Sequence, residues 1–151
     1  MKKEIRQKYA AILWVLSGLF LARVLGQILV VLFNVSFLPP MSEWYSGLLR
    51  YPLLVVTQAI ILYVMYRINI GVTYGNQYLL MRRKRLGYFL FWFSIVYAVS
   101  MVVRYFVSGT RHPERRWLPP GIIPMVFHLV LAGYLWTLSR LTLRHGATKK
   151  E

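Results

Sequence analysis

Residues 9–33 read YAAILWVLSGLFLARVLGQILVVLF, twenty-five positions with one charge, Arg23. A helix rises about 1.5 Å per residue, and about 20 mostly apolar residues are needed to cross a hydrocarbon core. The stretch is too long for a membrane strand and has no period-two alternation. In lipid every backbone polar group must be paired within the element, which leaves a helix as the solution. Three further stretches, 48–70, 86–107 and 121–143, meet the same length. Their charge-free runs are Tyr51–Tyr66, Leu86–Val103 and Trp117–Ser139. Pro39-Pro40 and Pro119-Pro120 fall between spans, where proline ends or starts helices because it lacks an amide donor and restricts its predecessor. The expected fold is an all-α integral membrane protein, a bundle of four transmembrane helices forming a single membrane domain over residues 1–151.

Composition agrees. Apolar residues make up 58% of the chain, against about 45–50% in soluble domains. The net charge of +15 comes from 19 Lys and Arg against four Glu and no Asp. In a soluble chain such a balance suggests nucleic acid. Here the basic residues flank apolar runs, so topology accounts for them and nucleic acid is not an expected partner.

The basic residues also set orientation, since Lys and Arg concentrate in cytoplasmic loops. Lys2, Lys3, Arg6 and Lys8 precede the first span. Arg67, Arg82, Arg83, Lys84 and Arg85 lie around the connection between the second and third. Arg140, Arg144, Lys149 and Lys150 follow or close the fourth. These thirteen share one side, and Arg50, Arg104, Arg111, Arg115 and Arg116 lie on the other. The expectation is a cell (inner) membrane protein with both termini cytoplasmic, and with anionic lipid as a partner of the inner-leaflet basic residues. The first apolar run is longer than a signal-peptide core and lacks a small-x-small cleavage site, so it is expected to remain as a span. Residue 2 is Lys and the chain has no Cys, which removes the lipidation motifs, disulfides and thiolate metal sites.

Packing signals are sparse. Gly18, Ala22 and Gly26 recur every four residues, a small-residue face that admits close helix approach. It is expected to serve packing inside the bundle, with a dimer interface as the alternative. Leu38-Pro39-Pro40 and Leu118-Pro119-Pro120 hold equivalent places, but nothing else aligns well enough to support a repeat.

Polar residues inside apolar spans are costly and should face protein or water. Arg23 lies about 15 Å from the outer end of span one, with Gln27 one turn nearer that end and on the same face. Gln58 in span two, Tyr97, Ser100 and Arg104 in span three, and His128 in span four also lie toward the outer side. The inner half reads as nearly pure aliphatic and aromatic. The expectation is an outward-facing polar cleft lined by Arg23, Gln27, Gln58, Arg104 and His128. Guanidinium groups bind carboxylate and phosphate bidentately, so an anionic ligand or lipid headgroup fits that residue set. A purely structural Arg23 would instead bond carbonyls, Gln27, a lipid phosphate, or an inward-folded Glu43 or Glu114. His128 reads first as a hydrogen-bonded interior residue, and otherwise as a general base or proton carrier. A haem cofactor is disfavoured because no second His lies at matching depth: His112 is in an outer loop and His145 at the opposite face.

The outer loops hold Glu43, Trp44, Tyr45, Arg111, His112, Glu114 and Arg115. Their aromatics suit interfacial anchoring. Their titrating groups lack any motif spacing, so a catalytic centre there has weak support. No Walker loop, dinucleotide-binding glycine motif, His-Glu-x-x-His or nucleophile elbow is present, and no metal site is expected. Among functions, the first expectation is a non-catalytic accessory subunit that packs with other membrane subunits or with its own copies. The second is a binder or carrier of an anionic ligand or lipid headgroup. The third is an enzyme on a lipid or membrane-embedded substrate.

Overall fold

A computed structural model describes residues 3–33, 51–75, 84–111 and 122–147. They form four helices: α1 (Lys3–Phe33), α2 (Tyr51–Tyr74), α3 (Lys84–Arg111) and α4 (Ile122–Ala147). Each is long and apolar enough to cross a membrane. Three of them run a turn or more past the apolar spans at the Lys- and Arg-rich end. There α1 begins at Lys3 rather than Tyr9, α2 reaches Tyr74 rather than Ile70, and α4 reaches Ala147 rather than Leu143. In α1 the added residues, Lys3 to Lys8, are mostly Lys, Glu, Gln and Arg, which are good helix formers, so the backbone helix outlasts the apolar pattern there. Glu4 also sits in the first turn of α1, where it complements the helix dipole.

The close of α2 has a specific cause. Gly75 adopts a φ of 81° and donates its N–H to the Gly71 carbonyl at 2.9 Å. That is a left-handed helix cap, which a residue without Cβ adopts without strain. The Arg6 guanidinium packs directly over Gly75, where any added Cβ would collide with it.

α1 packs against α2 and α4, and α4 packs against α3, so the order across the array is α2–α1–α4–α3. Among the described residues α2 and α3 are not neighbours. Consecutive helices run in opposite directions, which brings the start of α1 beside the ends of α2 and α4. Arg6 meets Gly75, and the Arg144 guanidinium lies 5.6 Å from the centroid of the Tyr9 ring. We call this the basic end.

The core is built by Leu13, Phe20 and Val24 of α1, Met65 and Val72 of α2, and Tyr134, Leu138 and Leu141 of α4. α3 joins it through a close approach at Gly87. The Gly87 carbonyl accepts from Ser139 Oγ at 2.9 Å, and a Cβ on Gly87 would stand 2.9 Å from Leu143 carbons. The outward sides carry Leu32, Phe33, Leu53, Phe89, Trp92, Val96 and Phe106, all more than half exposed. A continuous apolar exterior of that kind suits a hydrocarbon surround rather than water.

Candidate functional site

Arg23 and Gln27 are one turn apart on α1, and both side chains turn into the array. Arg23 is 7% exposed and Gln27 1%. Gln58 of α2, also buried, donates its Nε2 to Gln27 Oε1 at 3.2 Å. One donor and one acceptor of the two glutamines are thereby satisfied between α1 and α2. The Gln27 Nε2 group is buried and has no hydrogen-bond acceptor among the described residues.

α3 and α4 make a second pair at the same level. The Tyr97 hydroxyl is hydrogen-bonded to His128 Nδ1, with the two rings edge to face and their centroids 5.7 Å apart. Nδ1 is thereby occupied, and any further partner of His128 must use Nε2. Arg23 of α1 and Arg104 of α3 lie in the same half of the array as His128. The two pairs and the two arginines lie in the half of the array opposite the basic end.

That arrangement is rich in donors. Guanidinium and amide N–H groups only donate, and none of the four helices carries Asp or Glu apart from Glu4 at the start of α1. Among the described residues no group of three His, Cys, Asp or Glu is placed to hold a metal ion.

Other sequence candidates fall elsewhere. Ser100 is exposed and bonds back to the Tyr97 carbonyl at 2.7 Å, as serine in a helix commonly does. Gly18 and Ala22 are exposed and Gly26 half-buried. A Cβ added at Gly18 would meet nothing within 4 Å, so that flank of α1 is not the one that meets α2 or α4. Arg111 closes α3. Glu43, Trp44, Tyr45, His112, Glu114 and Arg115 lie outside the described residues.

The expectation of an almost wholly apolar basic-end half is corrected. Asn69 of α2 is fully buried and donates Nδ2 to Ser17 Oγ at 2.8 Å and to the Leu13 carbonyl at 3.4 Å. The Tyr134 hydroxyl of α4 reaches Asn69 Oδ1 at 3.0 Å and the Met65 carbonyl at 3.3 Å. Ser17 in turn donates to the Leu13 carbonyl at 2.8 Å. Three helices are tied by one knot whose side-chain amide uses both its donor and its acceptor. The signal for it was present in spacing. Asn69 is four residues after Met65 and three before Val72, and Ser17 is four after Leu13 and three before Phe20, so both share the core face.

Comparison of the chain with protein-family models, curated proteins and solved structures gives no match.

Proposed function

We propose that this is a non-catalytic integral membrane protein of the cell membrane that holds an anionic group in the polar cluster of Arg23, Gln27, Gln58, Arg104 and His128. Both termini lie in the cytoplasm, which turns the cluster toward the outer half of the bilayer. The thirteen-to-five distribution of basic residues supports that orientation. What supports the binding role is the burial of Arg23 and Gln27 on one face of α1, with Gln58 of α2 bonded to Gln27 and the Gln27 Nε2 donor without an acceptor among the described residues. The ligand chemistry is a phosphate or carboxylate, free in solution or on a lipid headgroup.

The test is native mass spectrometry of protein extracted gently from its own membrane, with helicity followed by circular dichroism. The wild-type chain should carry one tightly held phospholipid or small anion. Arg23→Gln should keep its helicity and lose that mass. Retention of the bound mass in Arg23→Gln, or a Glu43→Gln variant that alone makes Arg23→Gln harmless, would assign Arg23 to structure instead.

A second role, as an accessory subunit of a larger membrane complex, is favoured by the open flank at Gly18 and Ala22. Small residues on an uncovered helix face allow another helix to approach closely. Stoichiometric partner subunits in the same spectra would support it, and a lone chain would count against it.

A further inference from the structure

At the basic end the buried face of α1 runs out into a charge. Ala10, Leu13 and Ser17 are buried along one face of the helix. Arg6 stands four residues before Ala10, so it lies on that same face, and it is half-buried. It also lies three residues, about 4.5 Å, outside Tyr9, where the charge-free run of residues 9–22 begins. The headgroup layer is about 5–8 Å deep on each side of the hydrocarbon. Arg6 thus belongs to the layer that holds lipid phosphates, at the point where α1 meets the end of α2.

The fold fixes how this guanidinium is turned. Nη1 is 2.5 Å and Nη2 3.9 Å from where a Cβ on Gly75 would stand. Gly75 has no side chain there, so the group lies against the last turn of α2. The Nη1 corner is taken up by that contact, and the edge formed by Nε and Nη2 is the one left for an acceptor. Nε is buried and has no acceptor among the described residues. A donor closed to bulk water needs a partner seated against it, and one left unmet costs stability. The carboxyl-terminal end of α2 favours a positive charge beside it, which holds Arg6 in place but leaves the Nε donor unmet. The helices offer no carboxylate for it either. α2, α3 and α4 carry no Asp or Glu, and Glu4 is exposed and two residues from Arg6, off its face.

We propose that the Arg6 fork holds the phosphate of an anionic phospholipid, at the seam of α1 and α2, in the leaflet that meets the basic end. A guanidinium edge offers two parallel N–H donors, which match two oxygens of one phosphate. Lys3 and Lys8, both exposed on the same helix, draw anionic lipid toward the seam without being fixed in it. Arg144 of α4, held over the Tyr9 ring, adds to that field. A lipid phosphate fits this place better than a free one. The exposed apolar surface of α1, from Ile12 and Val15 onward, lies directly below Arg6 and gives the acyl chains a surround. The site is separate from the polar cluster, since Arg23 stands 17 residues, about 25 Å, further along α1.

The test is native mass spectrometry of the full chain released from phosphatidylcholine nanodiscs, with and without phosphatidylglycerol, and again with inorganic phosphate added. Circular dichroism follows the helicity of each variant. One phosphatidylglycerol per chain should be retained in preference to phosphatidylcholine. Arg6→Gln should weaken that retention about tenfold, through the loss of charge-assisted hydrogen bonds. Arg6→Lys keeps the charge beside α2 but not the fork, so it should keep its helicity and still lose most of the binding. Lys8→Gln removes the same charge from the same helix and should cost clearly less. Arg23→Gln should leave this phospholipid in place, which reads the site apart from the polar cluster. Equal losses in Lys8→Gln and Arg6→Gln, or wild-type retention in Arg6→Lys, would overturn the site in favour of diffuse attraction between charges. Loss of the phospholipid in Arg23→Gln with retention in Arg6→Gln would overturn it in favour of the polar cluster. Inorganic phosphate held in place of lipid would overturn the lipid as occupant.

Discussion

The two halves of this helix array use polar residues in opposite ways. Around Asn69 each polar group meets a partner of matching chemistry. The amide donates to Ser17 and to the Leu13 carbonyl and accepts from Tyr134, and Ser139 donates to Gly87. One turn from Arg23, Gln27 keeps a buried amide donor without an acceptor among the described residues. A buried polar network stabilises when every member is satisfied and costs stability when one is not. The contrast teaches that burial of polar side chains has two uses in one small protein. At the basic end it fixes which helix faces which. At the other end it leaves a buried amide donor without an acceptor among the described residues.

If that contrast is sound, substitutions in the first half should cost stability and those in the second should cost binding. The largest effect is expected from Gly87→Leu. Its Cβ would stand 2.9 Å from Leu143 and 3.3 Å from Thr142 Cγ2, at the point where α3 meets α4. Overpacking of this kind costs about 1–3 kcal/mol, seen as earlier loss of helicity in a denaturing-detergent titration. A wild-type titration curve for Gly87→Leu would mean that α3 is not held there.

A smaller loss is expected for Asn69→Ala. It removes the donor to Ser17 and Leu13 and one of the two acceptors of Tyr134, leaving the Met65 carbonyl for that hydroxyl. Interhelical hydrogen bonds in membranes average about 0.6 kcal/mol and reach about 1.7 kcal/mol, so a loss of about 1–2 kcal/mol is expected. Measured in the same titration, Arg23→Gln should fall well below Asn69→Ala. Equal losses would erase the distinction between the halves and make Arg23 part of the scaffold.

The smallest effect is expected at Gly18. With nothing within 4 Å of an added Cβ, Gly18→Leu should leave the stability of the isolated chain unchanged within about 0.5 kcal/mol. The same variant sharpens the accessory-subunit question. Loss of a co-purifying partner from Gly18→Leu, at unchanged stability, would place that partner on the open flank of α1.

Much of the candidate cluster was legible because charge and amide groups stand out in apolar runs. Arg23, Gln27, Gln58, Arg104 and His128 were each conspicuous by cost alone. Tyr97 was noted but not paired with His128, since nothing in spacing along one helix says what faces it on the next. Asn69 escaped because it stands two residues after Arg67, where a polar residue is unremarkable at a bilayer boundary. Ser17 escaped because beside Gly18 it reads as another small residue.

By itself, then, the sequence determined four long helices and the clustering of basic residues at one end. Those follow from length, hydropathy and charge, which are properties of each segment alone. Only the tertiary structure decided the order α2–α1–α4–α3, the Asn69–Tyr134 knot, the close approach at Gly87 and the turning of Gly18 outward. A helix that is apolar all round carries little record of which side is buried, because lipid and protein interior are equally apolar to it. Its rotation is settled by pairings between helices, and those exist only once the helices meet.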